Sequence, residues 1–245
     1  MPRNPLVLVA HGSRDARAAR STWALARAVG AARPGARVAT AFLDFEDPGL
    51  ATALRAEADR GQRAATVVPL LLTAAYHGRV DVPAVIEKAG GLGLDIGLAP
   101  VLGPVAGPRS DAVALSLLVR ALRRRLDEAV SGPVDGLVLA AAGTSHVPAL
   151  STVDLVADAL GATVRVPCVA GYASGAGRSV SSAVGVLRDR GVTGRIAVAA
   201  YFLAPGLLYD RAVNDALDAG AVVASAPLGD APEIAELVLR RADVA

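Results

Sequence analysis

Short unbroken apolar runs rich in Val, Leu and Ile recur along the chain, separated by Ala- and Arg-rich stretches with helical spacing. A strand buried on one face alternates apolar and polar residues, whereas a strand covered on both faces is apolar throughout. These runs therefore predict parallel strands flanked by helices, an α/β fold. They fall at 6–10, 37–43, 65–72, 95–98, 136–141, 163–169, 195–201 and 222–225, with helices filling the gaps. One long polar helix is expected over 110–130, running into the turn-forming Ser131-Gly132-Pro133.

Eight alternating units in 245 residues also describe a closed β/α barrel. An internal repeat favours a different arrangement. LVLAAAGTS at 137–145 matches LVLVAHGSR at 6–14, and AVAAYFLAPGLLYDRAV matches TVVPLLLTAAYHGRVDV. Both alignments share one offset, placing His11 opposite Ala142 (142 − 11 = 131) and His77 opposite Leu208 (208 − 77 = 131). Leu102-Gly103 is echoed by Leu228-Gly229 near the ends of the halves. The expectation is two similar lobes, 1–130 and 131–245, each a four-stranded mainly parallel sheet flanked by helices, with the active site in the cleft between them.

Composition narrows the partners. Lys88 is the only lysine, so 25 − 1 = 24 of the basic residues are arginines, yet the formal net charge is only +2. The arginines alternate with acids, and the run Arg123 to Arg125 reads as a solvated helix face, which argues against nucleic acid and leaves room for an anionic small molecule. The single cysteine, Cys168, excludes an internal disulfide or a multi-cysteine metal site and suits a reducing compartment. The apolar stretch 6–10 is too short for a secretory signal, and no run approaches the roughly 20 apolar residues of a membrane helix. A cytoplasmic protein without a membrane partner is expected.

Parallel α/β proteins carry their chemistry just beyond the carboxyl ends of strands. His11 ends the first strand and is followed by Gly12-Ser13-Arg14-Asp15, a tight turn with backbone N–H groups at a helix start and Ser13 or Asp15 as cap. His77 follows the third strand in a loop that ends at Pro83. The second strand runs into Asp44, Glu46 and Asp47, of which Asp44 is the best placed carboxylate and Asp47, before Pro48, suits a helix cap. Two imidazoles and a carboxylate fit Fe(II), Co(II), Ni(II) or Zn(II) far better than Mg or Ca. The alternative is a pair of structural histidines satisfied by backbone carbonyls. His146 lies opposite Asp15 in the repeat and Cys168 ends an apolar run, so neither is a leading candidate; Gly171 to Gly177 fits no phosphate-loop pattern.

VLVAHGSRD, AFLDFEDP, VVPLLLTAAYHGRVDVP and the second-half YFLAPGLLYDR together resemble the sirohydrochlorin chelatases, the class II tetrapyrrole chelatases of sirohaem and cobalamin synthesis. The resemblance spans nearly the whole chain. It implies a lyase that inserts a divalent metal, Fe2+ or Co2+, into sirohydrochlorin, with His11 and His77 holding the ion and no organic cofactor. Asp44 stands where many relatives have Glu, about one methylene shorter. The second lobe lacks both histidines, which implies a single site. Because the substrate is a polycarboxylate, the resemblance makes Arg14, Arg79, Arg211 and the amides of Gly12 and Ser13 its expected anchors. Fused lobes imply a monomer. The competing function is a carrier of the same fold that binds metal or tetrapyrrole without catalysis.

Overall fold

The computed structural model describes residues 4–73, 82–88, 90–104, 111–144 and 147–245. In the first half the order is β1 (Leu6–Ala10), α1 (Ala16–Ala32), β2 (Val38–Phe42), α2 (Leu50–Asp59), β3 (Ala64–Pro69), α3 (Val82–Lys88), a 3-10 turn (Gly90–Leu92) and β4 (Asp95–Leu98). The second half follows with α4 (Ala112–Ala129), β5 (Gly136–Ala141), α5 (Val147–Val164), β6 (Cys168–Tyr172), α6 (Val180–Asp189), β7 (Ile196–Tyr201), α7 (Leu207–Asp218), β8 (Val223–Ala224) and α8 (Pro232–Ala242).

The strands make two separate sheets, ordered β2-β1-β3-β4 and β6-β5-β7-β8, with every pairing parallel. The two-lobe expectation holds, and a barrel is excluded. Val7, Leu8 and Val9 on β1 are almost wholly buried, as are all six residues of β7. Each Val or Leu so covered contributes about 1.5–3 kcal/mol. With so few aromatic side chains, the second core is built from Ala, Val and Leu, such as Ala183, Val184, Leu187 and Val198.

The compact units have other boundaries than the expected break at 130. One comprises Met1–Gly103 with Asp230–Ala245, and the other Pro104–Gly229. Helix α4 turns Leu117, Leu118, Leu122 and Leu126 inward and packs on α5, β7 and β8, so it belongs to the second unit instead of joining two lobes. Helix α8 packs on α1 and β3 in the first unit, where Arg33 at the end of α1 is 2.6 Å from Asp243. Helical periodicity in a sequence marks which face is apolar, but not which sheet that face will cover.

Each unit also uses one arginine in the same way. The buried Arg241 of α8 donates to Gly103 O at 2.9 Å, and Arg125 of α4 donates to Leu228 O at 3.1 Å. The Leu-Gly echo thus marks the two points where an end of the sheet region is pinned by a helix. Leu102 N donates to Leu71 O, and Leu228 N donates to Phe202 O.

The sixth strand starts later than predicted. The β-branched Thr163, Val164 and Val166 read as strand, but α5 continues through Val164 and ends where Arg165 takes a left-handed φ of 66°. Cys168 therefore begins β6 and does not end it. Among the described residues, no helix is long and apolar enough to cross a membrane.

Candidate active site at the end of the first strand

The central strand β1 delivers His11 just past its carboxyl end, and pairing with the segment that follows β2 continues there. Leu43 N donates to Ala10 O at 3.0 Å, and Asp44 N donates to His11 O at 2.9 Å. Backbone bonds of this kind fix Asp44 beside His11 without involving either side chain. Gly12 follows with φ +93°, and a Cβ there would lie 1.8 Å from Asp44 O. Only glycine fits, because both the left-handed conformation and the close approach exclude a side chain.

The rest of the turn closes on itself. Ser13 Oγ accepts from Asp15 N at 3.1 Å, and Asp15 caps α1 by accepting from Arg17 N at 2.9 Å. The Arg17 guanidinium, 2.6 Å from Asp15, holds that carboxyl below its ordinary range. Of the two candidate caps, Asp15 is the one that caps the helix, while Ser13 braces the turn before it. Asp47, in contrast, caps nothing: the N-cap of α2 is Gly49, which supplies no side-chain bond.

His11 is half-buried, with Nδ1 3.3 Å from Gly12 O. A carbonyl only accepts, so this contact favours the tautomer carrying the proton on Nδ1. Phe45 stands beside it, ring centroids 6.5 Å apart and planes 29° from parallel. The guanidinium carbon of Arg14 lies 5.3 Å from the Phe45 centroid. Both Arg14 and Asp44 are exposed. Imidazole, carboxylate, aromatic ring and guanidinium are thus gathered from two adjacent strand ends.

His77 and Arg79 lie outside the described residues, as does His146. Strand β3, which precedes His77 in the chain, pairs directly with β1, and Leu70 N donates to Val9 O at 2.8 Å. Among the described residues, no three His, Cys, Asp or Glu side chains form a metal-binding group. Arg211 sits on α7 of the second unit, exposed and 3.8 Å from Asp215.

The second unit repeats the turn with different chemistry. Gly143, φ +95°, approaches Ser174 O as Gly12 approaches Asp44 O, and Ser174 N donates to Ala142 O at 3.1 Å. Ala142 and Ser174 thus occupy the places of His11 and Asp44. Cys168, at the start of its strand, lies at the sheet edge opposite these turns, and burial pushes its thiol up to about 12. The residue is only partly buried, but the raised pKa keeps it a thiol and so a poor nucleophile.

Sequence reading passed over Phe45. The signal was present in the repeat but hidden by a one-residue slip. Strand pairing matches Ala10 to Phe42 in one sheet and Ala141 to Tyr172 in the other, so the offset falls from 131 (141 − 10) to 130 (172 − 42). The fixed offset of 131 set Phe45 against Ala176 instead of Gly175.

The family model of CbiX matches residues 5–108 and 136–245. Comparison with curated proteins gave no match. Among solved structures, the sirohydrochlorin chelatase SirB from Bacillus subtilis subspecies spizizenii, in complex with cobalt, is 21% identical with a TM-score of 0.76, over 98% of this chain and 94% of that one. SirB from Bacillus subtilis with Fe3+ is 22% identical with a TM-score of 0.80, over the same shares. CbiX, described as the terminal enzyme for siroheme biosynthesis in denitrifying bacteria, is 19% identical with a TM-score of 0.61, over 99% of both chains. These likenesses establish a common fold.

Proposed function

The chain belongs to the CbiX family, and from that membership we propose that it is a chelatase inserting a divalent metal, Fe2+ or Co2+, into sirohydrochlorin. The supporting observation is His11, held past the end of β1 beside Asp44 with Nδ1 engaged by Gly12 O. The solved relatives hold cobalt in one case and Fe3+ in another, in keeping with a site that takes more than one first-row ion.

Insertion requires three acts: shedding water from the ion, delivering it to the macrocycle face, and removing two pyrrole protons. A neutral imidazole serves the last two, since its ordinary pKa of about 6.5 lets it bind a metal or accept a proton near neutrality. In this reading His11 and His77 hold and release the ion, either imidazole takes a pyrrole proton, and Asp44 orients or assists. Thiolates would retain the ion too strongly to pass it on. Arg14, Arg79, Arg211 and the Gly12 and Ser13 amides pair with the peripheral carboxylates. The single cysteine suits action in a reducing cytoplasm.

The test mixes purified protein with sirohydrochlorin and each metal in parallel under anaerobic conditions, following absorbance. The expected result is insertion accelerated well above the spontaneous rate. Binding of both reactants with no acceleration would mark a carrier and overturn the chelatase reading. A single chain already holds two sheets of one topology, so the enzyme is proposed to act as a monomer; sedimentation as an obligate dimer would contradict this.

A further inference from the structure

Phe45 is out of place by three physical criteria. It is 59% exposed, more than any other aromatic side chain among the described residues, with Trp23 next at 40%. Its φ of 67° is left-handed, a conformation that strains a residue with a Cβ and suits glycine. Among the described residues only Arg165 shares that feature outside glycine. The protein itself supplies the comparison. A parallel bridge joins Phe42 to Gly49 and another joins Tyr172 to Ser179, so the two loops have one length and Phe45 answers to Gly175 (45 − 42 = 175 − 172 = 3). Gly175 has φ +74°. The turn is therefore made with glycine in the unit lacking the histidine, and with a strained, exposed phenylalanine in the unit that has it.

Folding does not account for that choice, because the ring covers little of the core. Its position does. The ring lies beside the His11 imidazole, with the Arg14 guanidinium 5.3 Å from its centroid. A flat conjugated ring with carboxylates on its edge would meet an aromatic face and a cation together. We propose that Phe45 is a packing platform for the macrocycle, with Arg14 held over the platform to pair with a peripheral carboxylate. The left-handed backbone presents the ring at a fixed height relative to His11, so the platform sets how the macrocycle approaches the metal-handling imidazole. This inference rests on the proposed chelatase function.

The test uses Phe45→Gly, which the second unit shows to be compatible with the turn, and Phe45→Tyr, which keeps the ring. Three readouts are taken on the full chain: sirohydrochlorin binding without metal by fluorescence titration, Co2+ affinity, and melting temperature. Phe45→Gly is expected to weaken sirohydrochlorin binding by roughly tenfold or more, while Co2+ affinity and melting temperature do not fall, and Phe45→Tyr is expected to restore binding. Unchanged sirohydrochlorin affinity in Phe45→Gly overturns the platform while leaving the chelatase reading intact. A fall in melting temperature with Phe45→Gly also overturns it, since the ring would then be structural. Should the wild-type protein bind no sirohydrochlorin, the functional reading fails and takes the platform with it.

Discussion

Gly12 shows how much of the site rests on a residue that does no chemistry. A methyl group there would sit 1.8 Å from Asp44 O, so Gly12→Ala must part the two strand ends that hold His11 and Asp44 together. The expected cost is about 1–3 kcal/mol, with loss of insertion activity. Gly61, with φ +79° and no atom near its virtual Cβ, is the control. Gly61→Ala should cost only about 1 kcal/mol of backbone strain and leave activity alone. Equal melting temperatures for Gly12→Ala and wild type would refute the close approach. At this scale the sequence was legible where residue type carries chemistry. His11 and Asp44 stood out as an imidazole and an acid at strand ends. Phe45 did not, because an aromatic residue among apolar neighbours reads as core until its backbone and exposure are known.

At the scale of elements, strands were easier to place than helix partners. An unbroken apolar run in an α/β fold predicts burial on both sides, and β1 and β5 occupy the positions their runs indicate and are buried so; β4 also lies where expected, but as a partly exposed edge strand. The β-branched end of α5 misled because the buried Leu160 and the helix before it outweighed local strand preference. The crossing of α4 and α8 could not be read, since each apolar stripe fits any sheet. Arg241 records the outcome. It is 9% exposed and donates to the carbonyls of Leu102 and Gly103. Arg241→Met would leave those carbonyls buried without this donor, at about 1–3 kcal/mol, and should lower the melting temperature by several degrees. Arg240→Met, which breaks only the exposed pair with Glu236, should change it little. The same shift in both variants would refute the role given to Arg241.

For the molecule as a whole, two sheets of one topology have been given unequal chemistry. The same glycine turn ends β1 and β5, yet one presents imidazole, carboxylate and an aromatic ring where the other presents Ala142, Ser174 and Gly175. A repeated scaffold can lose site residues from one copy at no cost to folding, because these side chains lie beyond the sheet and outside the core. On this account one ion is handled by one pair of histidines, His11 and His77, and their contributions belong to a single event. The most direct measurement is the initial rate of Co2+ insertion by wild type, His11→Ala, His77→Ala and the double variant. Groups acting together on one ion give strongly non-additive losses, so each single variant should fall by roughly 100-fold or more and the double variant should be little worse. A double variant whose loss equals the product of the single losses, or a single variant with full activity, would contradict the account.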